Sequence, residues 1–261
     1  MMLFSILKKA LNLSAFFIGC SIFYLQSVSA DCQVKSYDEQ KTVANVVDGD
    51  TIILTDKIKI RLIGVNTPEV GKFPKQPEPY ALDAKRFVES KLLINRKIFL
   101  KYGKQKKDRY KRRLAHVFLE NGNNLNALLI NKGLAAAIVV PPNNILANCY
   151  FDLEHGARIK KLNMWSHKAY KYKYAEKLTT KMTGFKFIKG KVIRVGKSRG
   201  SVWLQMAKKF TVRVRKKDFK QFENLKFEQL KNKLIKVRGW IYIWKGELYM
   251  QVRHPRMLSI L

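Results

Sequence analysis

Apolar and polar residues alternate over several short stretches of the chain, which is the period of half-buried β-strands. In the N-terminal part this pattern predicts strands over residues 42–48, 51–55, 57–65, 96–102 and 114–119. Asp48, Gly49 and Asp50 separate the first two strands. Because an Asp-Gly pair supplies the positive φ that tight turns require, we expect a hairpin at this point.

Apolar residues recur at helical spacing elsewhere, which predicts helices near residues 79–94, 124–132 and 150–162. Pro79 is tolerated in the first turn of the first helix, and Gly133 is expected to end the second. The apolar run from Leu134 to Val140 is predicted to be extended. Strands followed by helices favour a small mixed barrel over a sheet of βαβ units.

The composition changes after residue 166. Residues 167–184 are basic, aromatic and polar, which is typical of a linker. Strands are then predicted over residues 185–195, 201–206, 209–215, 234–244 and 247–253, with a short helix near 218–231. Five strands with a helix after the third is the order of an OB-type barrel, so residues 185–261 are predicted to form a second, smaller OB-like domain.

The charge of the chain restricts its partners. Lys and Arg number 52 against 19 Asp and Glu, which gives a net charge of +33. The more basic part is residues 171–261, with 25 Lys and Arg against 5 Asp and Glu. A surface of this kind attracts polyanions, so we expect DNA or RNA as the partner, the alternative being a cationic protein without one.

The first 30 residues have the pattern of a signal peptide. Lys8 and Lys9 precede an apolar run that ends near Leu25, and small residues lead up to Ala30. We expect cleavage after Ala30 and a secreted or periplasmic protein. The alternative is an uncleaved anchor, since the run approaches the length that spans a bilayer.

Removal of this leader leaves two cysteines, Cys32 and Cys149. An even pair in an exported protein predicts a disulfide between them, and two unpaired thiols are the alternative.

The candidate chemistry lies between Val46 and Glu69. Acidic and amide side chains there (Asp48, Asp50, Asn66 and Glu69) flank one guanidinium, that of Arg61. Oxygen ligands, a guanidinium and a spare carboxylate are the groups that metal-assisted cleavage of a phosphate ester needs.

Four motifs carry a resemblance to a known family: V-D-G-D-T, I-R-L-I-G-V-N-T-P-E, D-R-Y-K-R-R-L-A and L-N-M-W-S. In this order they resemble the thermonuclease (staphylococcal nuclease-like) family over residues 41–166. The resemblance implies an OB-type five-stranded barrel with three helices, hence a mainly β fold with α for residues 31–166. It also implies calcium-dependent cleavage of DNA and RNA at the phosphorus–O5′ bond.

The resemblance assigns the metal to Asp50, Asn66 and the carbonyl of Thr67. Many relatives have Asp at position 66, and the neutral amide of Asn66 is expected to weaken calcium binding because affinity depends on ligand charge. Glu69 is the expected general base. A hairpin turn without a metal is the alternative interpretation of the Asp-Gly-Asp sequence.

The family's two catalytic arginines correspond to Arg61 and Arg112, whose guanidinium forks suit phosphate oxygens. Relatives usually have Gly before the second arginine, where this chain has Lys111. Since Arg113 follows directly, a strand would place it on the opposite face, and we expect Arg112 to be the catalytic one.

The loop that precedes Arg112 is basic and is predicted to hold nucleic acid. Arg109 and Tyr110 match the family's cationic and aromatic phosphate contacts, and Lys107 and Lys111 add positive charge. The chain has no P-loop and no Gly-x-Gly-x-x-Gly motif, so we expect no small-molecule cofactor. We also expect a monomer, and membrane contact only through an uncleaved leader.

Aromatic residues of the C-terminal part alternate with Lys and Arg: Trp203, Phe210, Trp240, Tyr242, Trp244 and Tyr249. Most are expected in the core, and one or two are expected to stack on bases of a single strand.

The sequence therefore predicts an exported, calcium-dependent nuclease of little sequence specificity with a nucleic-acid-binding OB-like domain. Two alternatives remain. One is a nucleic-acid-binding protein that has lost activity on the same scaffold, and the other is an adhesin for anionic polysaccharide.

Overall fold

The computed structural model describes residues 32–71, 74 and 76–261. The predicted leader, residues 1–30, and its cleavage point lie outside these residues. Among the described residues, no helix combines the length and the apolar character needed to span a bilayer.

The N-terminal part is a closed barrel with helices packed on it. Its strands are β1 (Glu39–Asp48), β2 (Thr51–Leu54), β3 (Lys59–Leu62), β4 (Val65–Asn66), β5 (Lys97–Lys107), β6 (Arg113–Leu119) and β7 (Ala136–Ala137). Its α-helices are α1 (Ala81–Lys91), α2 (Leu125–Asn131) and α3 (Ala147–Ile159). The barrel closes in the order β1-β2-β3-β6-β5, with β3 parallel to β6, which confirms the predicted fold class.

Alternating apolar residues of the strands fill the barrel. Ile52, Ile60, Leu62, Ile98 and Leu100 are almost completely buried, as period-2 patterning requires when one face of each strand points inward. The second helix begins as expected, because the side chain of its N-cap accepts a hydrogen bond from the amide of Ala127.

Several boundaries differ from the sequence prediction. The predicted strand 57–65 is split into β3 and β4, and β4 pairs with β7 outside the barrel, while the first helix spans Ala81–Lys91 instead of residues 79–94. The third helix begins at Ala147 rather than near residue 150, and the expected extended run 134–140 forms a strand only at Ala136–Ala137. Strand β5 continues through Lys107, so much of the basic segment is strand rather than loop. Its continuation pairs Lys107 with Arg113 on the neighbouring strand.

A second barrel follows, with the same connectivity. Its strands are β8 (Lys173–Tyr174), β9 (Gly184–Lys191), β10 (Arg194–Ser198), β11 (Ser201–Ala207), β12 (Phe210–Arg215), β13 (Leu234–Trp244), β14 (Glu247–Gln251) and β15 (Leu258–Ile260). The main path is β10-β11-β12-β14-β13-β9. Only two residues separate β9 from β10, so these two strands are halves of one bent strand. One half pairs with β13 and the other with β11, and the sheet therefore closes on itself.

In the first barrel β1 pairs with β2 and β5, and β3 pairs in parallel with β6. In the second barrel the β9–β10 segment pairs with β11 and β13, and β12 pairs in parallel with β14. The shared pattern is that of the OB-type barrel.

The predicted helix near 218–231 is wrong. The segment forms two short 3-10 helices, Lys216–Phe222 and Phe227–Leu230. Lys216 and Lys217 stand in the first turn, where positive charge opposes the helix dipole and weakens an α-helix. The Phe227 ring lies between those of Phe219 and Phe222, and this packing holds the bend between the two short helices.

Residues 167–184, the predicted linker, contain two 3-10 helices, Lys168–Tyr170 and Ala175–Lys177, and strand β8. The Tyr170 hydroxyl donates to the carbonyl of Pro79 at 2.5 Å. This segment therefore packs on the first barrel instead of crossing open solvent.

A disulfide joins Cys32 to Cys149, with the two Cα atoms 5.7 Å apart and a sequence separation of 117. The Asn124 side chain donates to the carbonyl of Cys32 at 2.6 Å. The residues that precede β1 are thereby fixed to helices α2 and α3.

The two barrels meet at one buried carboxylate, that of Glu154 on α3. It accepts hydrogen bonds from the amide of Ala137 at 2.6 Å, from Arg158 at 2.5 Å and from Arg238 of β13 at 2.6 Å. Burial raises the pKa of Glu154, but the charges of Arg238 and Arg158 outweigh burial, and the pKa lies below its usual value.

Substituting Glu154→Gln is expected to destabilise the protein by about 3–5 kcal/mol at neutral pH, because it leaves the Arg238 guanidinium buried without a counter-ion. Since the folded pKa of Glu154 is lowered, its contribution is present above the unfolded pKa and is lost as the pH falls through the folded pKa. Urea unfolding of parent and variant at neutral and acidic pH measures both effects. The difference between them should shrink on acidification.

Asp152→Asn is the matched control, because Asp152 also lies on α3 and also pairs with a C-terminal arginine, Arg256, at 2.7 Å. Its side chain is 68% exposed, so the loss should stay within about 1 kcal/mol. Equal losses in the two variants would contradict the assigned role of Glu154.

Candidate active site

The centre of the site is the carboxylate of Asp50, in the two-residue turn between β1 and β2. Asp50 is only 5% exposed. Its Oδ2 lies 2.9 Å from Arg61 Nη2 and accepts from the amide of Thr67 at 3.1 Å, and its Oδ1 accepts from the Thr51 hydroxyl at 3.1 Å. Both oxygens of this buried carboxylate therefore accept from fixed donors, which holds Asp50 in one orientation.

The glycine before Asp50 is needed for space and not for its conformation. The hairpin is confirmed, but Gly49 does not have the positive φ that the Asp-Gly pattern predicts. A Cβ at Gly49 would lie 2.7 Å from Ala84 Cβ and 2.7 Å from Thr67 Cγ2. The turn is packed between α1 and the residue whose amide holds Asp50.

Arg61, on β3, is fixed by three acceptors. Besides its contact with Asp50, its Nη1 donates to the carbonyls of Leu62 at 2.6 Å and Val65 at 2.9 Å. Its side chain is only 12% exposed. The guanidinium is therefore held rigidly beside the carboxylate.

Arg112 reaches the same place from the turn before β6. Its Nη1 donates to the Thr51 hydroxyl at 3.1 Å, and its Nε pairs with Asp108 at 2.8 Å. Arg113 points elsewhere, since its Nη1 donates to the Tyr102 hydroxyl at 3.2 Å. Of these two neighbouring arginines, Arg112 is the one that joins Asp50 and Arg61.

Sequence reasoning missed two residues of this network. Thr51 links Asp50 to Arg112 through one hydroxyl, and Asp108 orients Arg112 while also accepting from the amides of Tyr110 and Arg112. An Asp that accepts from amides two residues on is a turn-forming residue, so Asp108 carried a signal in the sequence. Nothing in the strand pattern marked Thr51.

The basic turn has its own local order. Lys111 has φ +63°, the left-handed conformation that glycine adopts without strain. Arg109 donates to the Tyr110 hydroxyl at 2.6 Å and lies 4.7 Å from the centre of its ring. Tyr110 is 64% exposed, and Lys107 is exposed at the end of β5. These side chains face solvent next to the end of Arg112.

The remaining predicted site residues lie in β4 and in the loop that follows it. Asn66 is buried in β4, where it pairs with Ala136, and Thr67 directly after it is also buried. Glu69 is exposed in the next loop, where its amide donates to the carboxylate of Glu78 at 3.0 Å. The structure thus joins Asp50 to Thr67 and Arg61 by direct contacts and to Arg112 through Thr51, and it places Glu69 on the exposed loop after Thr67.

Negative charge is concentrated at the turn. Asp48 accepts from the amide of Asp50 at 3.0 Å. Burial, and then the charge of Asp50, raises the pKa of Asp48 to about 6. A cation at this point would relieve the repulsion between the two carboxylates.

The donor atoms fit a hard divalent cation. Within the part of the chain that the structure describes, three or more His, Cys, Asp or Glu side chains nowhere gather at one point. Calcium does not require this, because it also accepts amide and backbone carbonyl oxygens. Asp50, Asn66 and Thr67 carry oxygens of this kind, and the amide of Thr67 lies against the Asp50 carboxylate.

The chain is similar in sequence to a known protein family and to individual nucleases. The sequence profile of the family described as "Staphylococcal nuclease homologue" matches residues 59–167. The chain is 38% identical over 141 residues to the thermonuclease of Staphylococcus intermedius, an alignment that covers 52% of this chain and 80% of that protein. It is 34% identical over 142 residues to endonuclease YncB of Bacillus subtilis, covering 50% of this chain and 66% of that protein.

Substituting Gly49→Ala is expected to cost about 1–3 kcal/mol, because the new methyl group must displace Ala84 or Thr67. The Thr67 amide resonance should shift, since that amide donates to Asp50. Thermal unfolding and an amide NMR spectrum measure the two effects. Gly156→Ala is the control: its Cβ meets no neighbour within 4 Å, and within α3 it should stabilise the protein by about 0.5–1 kcal/mol. An unmoved Thr67 amide in Gly49→Ala would contradict the packing argument.

Proposed function

The chain belongs to the family of staphylococcal nuclease homologues, and from this premise we propose that it is a calcium-dependent nuclease that hydrolyses phosphodiester bonds of DNA and RNA. The observation that carries the proposal is that the two arginines meet at one point. Arg61 pairs with the Asp50 carboxylate, and Arg112 donates to the Thr51 hydroxyl, which itself donates to Asp50. Two fixed guanidinium groups can bind the oxygens of a phosphodiester and stabilise the negative charge that grows on them during hydrolysis.

The arginines stabilise the reacting phosphate. Charge grows on the phosphate oxygens as the nucleophile adds, and a preorganised guanidinium meets that charge without having to reorient. Arg61 is held by two backbone carbonyls and Arg112 by Asp108, so both are fixed before substrate arrives. Their contacts with Asp50 and Thr51 set the distance between them.

Asp50, Asn66 and the Thr67 carbonyl would hold calcium. A bound divalent cation polarises a phosphate oxygen and lowers the barrier to attack at phosphorus. The neutral Asn66 provides one charge fewer than a carboxylate, so we expect weaker calcium binding than a fully acidic ligand set gives. The two carboxylates of Asp48 and Asp50, close together in one turn, support a cation at this point.

Glu69 acts as the general base. In the proposed step a water oxygen attacks phosphorus and passes its proton to the Glu69 carboxylate, while the P–O5′ bond breaks and the leaving O5′ takes up a proton from solvent. The exposed position of Glu69 on the loop after Thr67 supports this role, because solvent water reaches it directly.

Binding to the substrate is electrostatic and shows little sequence preference. Arg109, Tyr110, Lys107 and Lys111 stand beside Arg112 and contact phosphates, which are the same in every sequence. The net charge of +33 supports a polyanionic substrate.

We also propose that the protein is exported. The Cys32–Cys149 disulfide supports an oxidising compartment. The leader that would direct export, with cleavage after Ala30, rests on the sequence pattern alone.

Neighbouring arginines give a matched test of the catalytic assignment. Arg112→Ala should lower the rate of plasmid digestion by on the order of 10²- to 10³-fold, because it removes one preorganised donor for the reacting phosphate. Arg113→Ala removes the same charge one residue away and should leave the rate nearly unchanged. Equal losses would mean that the basic turn only binds substrate.

Glu69→Gln should reduce calcium-supported digestion by about 10²- to 10⁴-fold, because an amide cannot accept the proton of the attacking water. A chelator should abolish digestion by the parent. If neither parent nor variant digests the plasmid with any divalent cation tried, the protein is a nucleic-acid-binding member of the family and not an enzyme, and if both digest it equally, Glu69 is not the base.

A further inference from the structure

The outer wall of the second barrel carries a row of rings. Strand register brings Arg194, Gln205, Thr211, Tyr249 and Tyr242 side by side across five strands. Residues two positions along these strands point to the same side. They form a second row that contains Gly196, Trp203, Arg213 and Gln251. Both rows face away from the barrel core.

The rings on this wall are not needed to fill the core. The alternate residues of the same strands, Leu204, Val212 and Met250, are fully buried and already fill it. On the outside Trp244 is 53% exposed and Tyr242 is 38% exposed. The wall is therefore an unusually aromatic surface for a protein in water.

Tyr249 is the centre of the cluster. The centre of its ring lies 5.7 Å from that of Trp244, 5.9 Å from that of Trp203 and 5.9 Å from that of Tyr242, to which it is nearly parallel. The neighbouring rings hold one another in place, so the surface is ordered before any ligand arrives. A rigid surface loses little conformational entropy on binding.

A groove of about 400 Å³ runs between the rings, lined by side chains that include Arg194, Lys197, Trp203 and Trp244. Its size is that of a site for one small organic group. Gly196 belongs to this lining, and a Cβ there would meet nothing closer than 3.9 Å. The missing side chain keeps the groove open.

Positive charge surrounds the rings. The Arg213 guanidinium lies 4.8 Å from the centre of the Trp203 ring, and Lys245 lies 5.0 Å from that of Trp244. Glu247 is the acidic residue in the groove lining, and it accepts from the Tyr249 hydroxyl at 3.0 Å. Apart from Glu247, the charges at the groove favour an anion.

We propose that this wall is a binding site for single-stranded nucleic acid, separate from the catalytic site. Bases stack on Trp203, Tyr249 and Trp244, and phosphates pair with Arg194 and Lys197. Ring faces accept any base, and cations spaced between them match a phosphate backbone. A duplex keeps its base faces stacked inside, so it can use only the cations.

The test measures binding without hydrolysis, so its result is independent of nuclease activity. The full chain carrying Glu69→Gln is titrated, in chelator and at fixed salt, against fluorescent oligothymidylate and against a duplex of the same length. Adding Trp203→Ala and Tyr249→Ala should weaken binding of the single strand by on the order of 10- to 100-fold. Duplex binding should change little.

Three further variants make the test specific. Tyr174→Ala is the matched control, because Tyr174 is an exposed ring with Lys189 only 4.2 Å from its centre, but it lies on β8, away from the wall. It should bind as the parent does. Glu247→Gln should tighten binding of the single strand, since it removes the negative charge from the groove. If the double alanine variant fails to fold, Gly196→Leu should fill the groove and produce the same selective loss.

Two results would overturn the proposal. One is a folded variant, shown by an unchanged circular dichroism spectrum, that binds the single strand as tightly as the parent does. The other is an equal loss for single strand and duplex, or for labelled heparin, because that would show a surface that recognises charge without stacking bases.

Discussion

The carboxylate of Asp50 holds the rim of the first barrel together. It receives donors from β3 through Arg61, from the loop after β4 through Thr67, and from its own neighbour Thr51, whose hydroxyl extends the contact to Arg112. These residues are far apart in sequence, and the closed barrel is what brings their strand ends to one point. Arg61 and Arg112 also have separate partners, but Asp50 together with the Thr51 hydroxyl is what links the two arginines to each other.

The two barrels use the same connectivity for different surfaces. The first gathers charged groups at the rim, around a turn between two strands. The second places rings on its outer wall, where alternate residues of neighbouring strands lie side by side. Because the fold fixes only the backbone, each barrel is free to place its chemistry on a different surface. The proposed division is cleavage at the rim and capture at the wall.

Local patterns predicted the strands, the three helices and the principal charged residues, because apolar periodicity and turn residues act over a few positions. The sequence alone did not explain why particular residues are needed at particular positions. The Asp-Gly pattern correctly predicted a hairpin at Gly49. Glycine is needed there for a different reason, because Ala84 and Thr67 leave no space for a Cβ in the folded chain. Thr51 ends a recognisable motif, but its role was not predicted because it depends on Arg112, which the fold brings from another element.

Two other differences have a similar origin. The segment near 218–231 was predicted as one helix, but it forms two short 3-10 helices whose aromatic rings pack against each other. At Lys111 the sequence suggested a departure from the family's glycine, whereas the backbone keeps the conformation that glycine favours.

The buried Glu154 has a consequence for any attempt to separate the halves. Its carboxylate is bound by Ala137 and Arg158 from one side and by Arg238 from the other. A proteolytic cut near residue 180 followed by dissociation would expose this charge on one fragment and strip Arg238 of its partner on the other. The boundary that composition suggests is therefore a poor place to divide the molecule, and nicked halves should remain associated.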